Sequence, residues 1–201
     1  MTYTPTQILT FDEFIAQYGD DPRYELIDGE LRDMEPIGPH EAVAGKVAGH
    51  VFAEILRSNL NWFSPKTCLI KPPAAEATAL RPDVIVLDED QISKEPLWQS
   101  EPIITRGSTI KLVIEVISTN WQDDYARKVE EYALLGIPEY WIVDYRGLGG
   151  IAFIGKPKQP TFTVYQLEGE EYTPQQYRLT QPIHSPLLPQ LQLRLDDILP
   201  R

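Results

Sequence analysis

Apolar and polar positions along the chain fall into two periods. Thr10-Phe11-Asp12-Glu13 has the Thr-x-x-Glu form of a capping box and predicts a short helix running to about Tyr18. In Tyr24-Glu25-Leu26-Ile27-Asp28-Gly29-Glu30-Leu31, two short strand patterns flank Asp-Gly, a pair suited to the positive φ angles of a tight turn. From Pro39-His40 to about Leu60, Val43, Val47, Val51, Ile55 and Leu56 recur at helical spacing. Residues 66–71 read as a strand, and 72–80, small and broken by proline, as a loop over the site. Apolar runs at 81–87 and 110–117 predict two buried strands, separated by an irregular stretch with Pro96, Pro102 and Gly107 as breakers. A helix is expected from about Asp123 to Leu135, closed by Gly136 and Pro138. Residues 140–145, 151–154 and 162–167 read as further strands. Glu168-Gly169-Glu170 reads as a hairpin turn into Tyr172. Residues 191–199 alternate and then close on a helical turn at 196–199.

This order of elements argues for an α+β (or mixed α/β) fold, with a central mixed sheet covered by two main helices. With 201 residues and no repeat or composition break, one domain spanning 1–201 is expected. Hydrophobic residues are 42% and charged residues 24%, the balance of a soluble globular protein. The start, MTYTPTQILTFDEF, has no basic stretch leading into an apolar core, so no signal peptide is expected, and no apolar run has membrane-spanning length. The single Cys68 cannot form an internal disulfide, which fits a reducing, cytoplasmic setting. The net charge of -12 argues against a protein that coats DNA nonspecifically. It argues less against a nuclease, whose acids a metal can offset. Trp98 and Trp121, expected to be exposed, leave room for a homodimer.

Two acids stand out. Glu115 interrupts Leu112-Val113-Ile114 and Val116-Ile117, and Asp83 directly precedes Val84-Ile85-Val86-Leu87. An ionised group inside an apolar run costs several kcal/mol unless something pairs with it. If the two strands are neighbours, the two carboxylates meet, and a divalent cation is the simplest partner for both. Mg²⁺ or Mn²⁺ fits such hard oxygen ligands, with the Val116 carbonyl as a third. Asp124, Lys128 and Tyr132 follow at spacings of four and share one helical stripe, with Val129 and Ala133 beside it expected to face the sheet. Lys128 could reach the carboxylates from there; Asp124–Lys128 could equally be an ordinary surface ion pair. Tyr132 reads as packing or as a hydrogen-bond partner of the lysine. Glu25 is an alternating polar residue in a strand pattern, which could as well face water. His40 stands at a helix start, where it could cap, bind phosphate or contact a metal-bound water.

Pro82-Asp83 followed by Glu115-Val116-Ile117 is similar to the PD-(D/E)XK motif of restriction-endonuclease-like nucleases, with Ile117 where that motif has lysine. In several branches of that superfamily the lysine comes from the following helix, a position that Lys128 matches. More closely, Arg81-Pro82-Asp83-Val84, Glu115-Val116-Ile117-Ser118, the run from Asp124 to Tyr132, and Gly136-Ile137-Pro138-Glu139-Tyr140-Trp141-Ile142-Val143-Asp144 resemble the Uma-two family of restriction-endonuclease-like proteins. The hairpin Tyr24 to Leu31 and Pro39-His40 match its N-terminal signature, and Leu188-Pro189-Gln190-Leu191 resembles its C-terminal strand. The resemblance implies a restriction-endonuclease-like core with an extra N-terminal hairpin and C-terminal strands. It implies Asp83 and Glu115 as metal ligands, Lys128 as catalytic lysine, and Glu25 and His40 as further site residues. It also implies hydrolysis of phosphodiester bonds in nucleic acid, DNA before RNA. The alternative is a catalytically inactive module with the same fold that binds nucleic acid or regulates.

Overall fold

The computed structural model describes residues 8–73 and 75–200. Helix α1 (Phe11–Tyr18) starts on the expected capping box: Thr10 N–H donates to Glu13 Oε2 at 2.9 Å, and Glu13 N–H to Thr10 Oγ1 at 3.3 Å. Strands β1 (Tyr24–Ile27) and β2 (Glu30–Asp33) form the hairpin, with Asp28 at φ 51° and Gly29 at φ 81° in its turn. Helix α2 (Gly38–Arg57) follows, then β3 (Trp62–Phe63), β4 (Leu69–Ile70), β5 (Val84–Asp88), α3 (Glu89–Ile92), β6 (Ile103–Ile104) and β7 (Ile110–Val116). A π-helical stretch (Asp123–Arg127) runs into α4 (Lys128–Leu134). The chain continues through β8 (Glu139–Asp144), α5 (Ile151–Ile154), β9 (Thr161–Glu168), β10 (Glu171–Tyr177) and α6 (Leu195–Ile198).

Six strands form the central sheet in the order β10-β9-β8-β7-β5-β3. Only β7 and β8 run parallel in it. A parallel pair needs a crossover, and α4 supplies it. Side chains of successive strand residues point to opposite faces. Leu112, Ile114 and Val116 of β7 therefore pack with Val43, Val47, Val51 and Ile55 of α2 on one face. Val113 and Ile117 pack with Tyr132 and Tyr140 on the other, under α4. Alternation puts Glu115 on the α4 face. The β5–β7 register pairs Val84 with Ile114 and Ile85 with Val113, so one step further Asp83 stands opposite Glu115. The expected meeting of the two acids follows from this register.

Several expectations change. Residues 151–154 form the short helix α5, not a strand; four apolar residues are too few to separate the two periods. The strand expected at 66–71 narrows to Leu69–Ile70. Residues 72–80 are tied down at their end, where Leu26 bridges Ala79 and Ile70 bridges Leu80. After β10 the described residues contain no further strand, only a bridge between Pro182 and Arg194. Glu139 pins this last segment instead: its carboxylate accepts from Leu187 N–H, Ser185 Oγ–H and Trp141 Nε1–H at 2.8–2.9 Å. The face of α4 is also corrected. Lys128 and Tyr132 are wholly buried against the sheet, while Val129 and Ala133 are half-buried at its sides. Trp98 and Trp121 are half-buried, not exposed.

Gly107 does more than break a pattern. A Cβ there would lie 1.7 Å from the Leu135 carbonyl oxygen, so the end of α4 rests directly on the Gly107 backbone. Gly107→Ala forces backbone to move and should cost about 2 kcal/mol or more. Urea denaturation checks this; an unchanged midpoint would mean the contact yields freely.

Candidate active site

The pairing of β5 with β7 is reinforced by two reciprocal clips. Val116 N–H donates to Asp83 Oδ2 at 2.7 Å, and Asp83 N–H donates to Glu115 Oε2 at 3.4 Å. Each carboxylate is held by the backbone of the other's strand. Asp83 is the member that solvent reaches, its side chain 21% exposed. Glu115 lies beneath it and is buried.

From above, α4 lowers Lys128 into the acids. Its Nζ lies 3.1 Å from Glu115 Oε1, 3.2 Å from Asp124 Oδ1 and 3.3 Å from Glu25 Oε2. Asp124–Lys128 is thus no surface pair, and Glu25 does not face water. Glu25 arrives from the hairpin, which Arg81 ties down: Arg81 Nε donates to Tyr24 O, Nη2 to Gly19 O, and Arg81 N–H to Glu25 Oε2. Tyr132, one turn past Lys128, donates to Glu115 Oε1 at 3.0 Å; its partner is the carboxylate, not the lysine. Both contacts on Glu115 fall on Oε1, so Oε2 stays turned toward Asp83.

His40, in the first turn of α2, enters from the opposite face of the sheet. Its Nε2 is 2.8 Å from the Val116 carbonyl and 3.4 Å from Asp83 Oδ2. A carbonyl only accepts, so Nε2 carries the hydrogen. Glu41 Oε1 lies 3.6 Å from Nδ1. All six residues singled out in the sequence, Glu25, His40, Asp83, Glu115, Val116 and Lys128, meet here. Asp124 and Tyr132 join them; the i, i+4, i+8 stripe was their only signal in the sequence.

Burial dominates the electrostatics. It drives Glu115 well above the ordinary carboxylate range, although Lys128 pulls it down. It lifts Asp124 to about 6, again against Lys128. Burial disfavours the charged form of Lys128, yet Glu115, Glu25 and Asp124 outweigh it and hold the amine well above its usual value. Burial likewise works against charged His40, but the hydrogen bond and charge of Asp83, with the Val116 carbonyl, raise it to about 9.

The acids Glu25, Asp83, Glu115 and Asp124 outnumber the two basic groups they face, Lys128 and His40. The donors suit a divalent cation: Asp83, Glu115 Oε2 and the Val116 carbonyl are hard oxygens brought together at the sheet end. Among the described residues no three His, Cys, Asp or Glu side chains are grouped for a metal. An ion would therefore rest on two carboxylates and a backbone oxygen. A broad groove elsewhere, between the second half of α2 and the chain's end, is lined by His50, Arg57, His184 and Arg194 and holds none of these residues.

The family described as "Uma2: Putative restriction endonuclease" matches residues 11–196. A crystal structure described as a putative nuclease belonging to DUF820 from Anabaena variabilis ATCC 29413 superposes with a TM-score of 0.70 at 17% identity, over 94% of this chain and 97% of that one. That likeness is one of fold. No curated protein matches the sequence. No helix among the described residues is long and apolar enough to cross a membrane. With a family match running from the first helix to the last and a nuclease-like fold to carry it, the chain belongs to the Uma2 family of restriction-endonuclease-like proteins.

Proposed function

We propose that the protein is a Mg²⁺- or Mn²⁺-dependent endonuclease that hydrolyses phosphodiester bonds in DNA. One observation carries this reading: two carboxylates from neighbouring strands stand face to face at a solvent-reached sheet end, with a buried ammonium behind them. Asp83, Glu115 and the Val116 carbonyl would hold the ion. When bound, it would acidify a water and offset negative charge on the phosphoryl group. The chain's own residues do the rest. Lys128 stays protonated at neutral pH, so it acts as a fixed positive charge and donor, not as a base. Tyr132 and Lys128 together fix Glu115 Oε1 and so aim Oε2. His40 holds the Asp83 carboxylate and the Val116 carbonyl in one orientation.

One observation favours a second reading, a nuclease-fold module that binds without cutting. Lys128 is 0% exposed and already surrounded by three carboxylates, so its amine does not reach a phosphate as it stands. Cleavage of supercoiled plasmid with and without Mn²⁺ separates the two readings.

On the first reading, Asp83→Asn and Glu115→Gln each lower the cleavage rate by about 100-fold or more while circular dichroism stays that of the wild type. Equal rates for both variants and wild type would remove these residues from the mechanism. Lys128→Met should also be costly to the fold, because it leaves three buried carboxylates without their cation. The expected loss is about 3–5 kcal/mol in denaturant unfolding at neutral pH. A loss below about 1 kcal/mol would mean that the acids are neutral in the folded protein.

A further inference from the structure

The site sits where the parallel strands β7 and β8 end. Val116 pairs with Val143, and β8 closes at Asp144. The chain that leaves it, residues 145–167, contains three of the 18 Lys and Arg residues and none of the 30 Asp and Glu residues. It therefore carries +3, against −15 for the rest of the protein. Its three cations, Arg146, Lys156 and Lys158, are all exposed. Among the described residues none of them lies in an ion pair with an acid, unlike Arg23, Arg32, Arg57, Lys111, Arg127 and Arg194; Lys158 Nζ donates only to the Leu148 carbonyl, at 2.7 Å, and exposed Lys66, Lys94 and Arg106 also lack an acid partner but lie scattered. Arg178 adds a fourth cation beneath them, spent on neutral acceptors: Ile154 O at 2.6 Å, and Thr161 Oγ1. Another acid-free stretch, 55–75, also holds three cations. There, however, Arg57 is paired with Glu54 and Lys71 lies over the Phe11 ring.

The cationic segment touches the catalytic helix directly. Phe153 stacks on Tyr125 with ring centroids 5.0 Å apart and meets Trp121 edge-on at 6.1 Å. Gly149 and Gly150 approach so closely that a Cβ would lie 2.9 Å from Tyr125 and 3.0 Å from Trp121. Tyr125 is the neighbour of Asp124, which pairs with Lys128. Arg146 is three residues past the rung that Val143 shares with Val116, in the turn that directly follows β8.

We propose that Arg146, Lys156 and Lys158, presented by the 145–160 segment, form the track that holds the phosphate backbone of DNA beside Asp83 and Glu115. The claim deepens the nuclease reading and rests on it. In a protein of net charge -12, three cations without acid partners, grouped at the sheet end where Asp83 and Glu115 sit, give a polyanion a favourable approach to the site. Half-buried Trp121 and Phe153 anchor the segment, so its charges are held on a fixed base.

The test uses the full chain and a short fluorescein-labelled DNA duplex, followed by anisotropy across a salt series in EDTA, so that cleavage plays no part. Combined Arg146→Ala, Lys156→Ala and Lys158→Ala should weaken binding by about 10-fold or more and flatten the slope of log K against log salt by about 2–3. Melting temperature and Mn²⁺ affinity should stay those of the wild type. Lys94→Ala with Arg106→Ala, exposed cations far from the β7 end that bears Glu115, should leave binding unchanged. Wild-type affinity and slope in the triple variant would overturn the track and leave the nuclease reading standing. Tighter binding of RNA of the same sequence would overturn the choice of DNA. No binding of either by the wild type at low salt would overturn the track and the nuclease reading together.

Discussion

Everything at the sheet end depends on one buried ammonium. Lys128 gathers Glu25, Glu115 and Asp124 from a hairpin, a central strand and its own helix, and without it those elements would repel one another. Burying a charge costs several kcal/mol, and near-complete pairing is what makes the cost bearable. Three acids already outnumber the one ammonium, and Asp83 adds a fourth. The contacts that hold the hairpin, β7 and α4 together and the acids singled out for chemistry thus lie in a single cluster.

The two layers of the protein divide the labour. The α2 face of the sheet is apolar from Val43 to Ile55 and supplies the core. The α4 face carries the acids and the lysine among Tyr132, Tyr140 and Ile117. His40 reaches across from the α2 side, at the helix start, to the Val116 carbonyl at the strand end. The backbone of β7 is thus read from both sides at one residue.

Much of this was legible in the sequence, and the reasons are specific. Asp83 and Glu115 were visible because an acid beside a β-branched run has no cheap place to go. Lys128 was visible because a spacing of four from Asp124 fixes a helix face. What local pattern could not show was long-range. Glu25 looked like an outward residue of a short strand, and its burial depends on Arg81, 56 residues later, clasping the hairpin. The direction of the lysine stripe was misread for a related reason: Val129 and Ala133 are the apolar choices for a core, and only the acids below explain why Lys128 points inward instead. At 151–154, four apolar residues fit either period, and packing on Trp121 and Tyr125 decided the matter.

The irregularity in the β5–β7 ladder lies between Val86 and Leu87, on the side away from the acids. From Val86 back to Val84, the residue next to Asp83, the pairing is uninterrupted. The sheet therefore stores its misfit at the distal rim, away from the carboxylates. Toward the proximal rim, one inserted residue would turn Asp83 to the wrong side and part it from Glu115, so the short run of three rungs behaves as the protein's ruler.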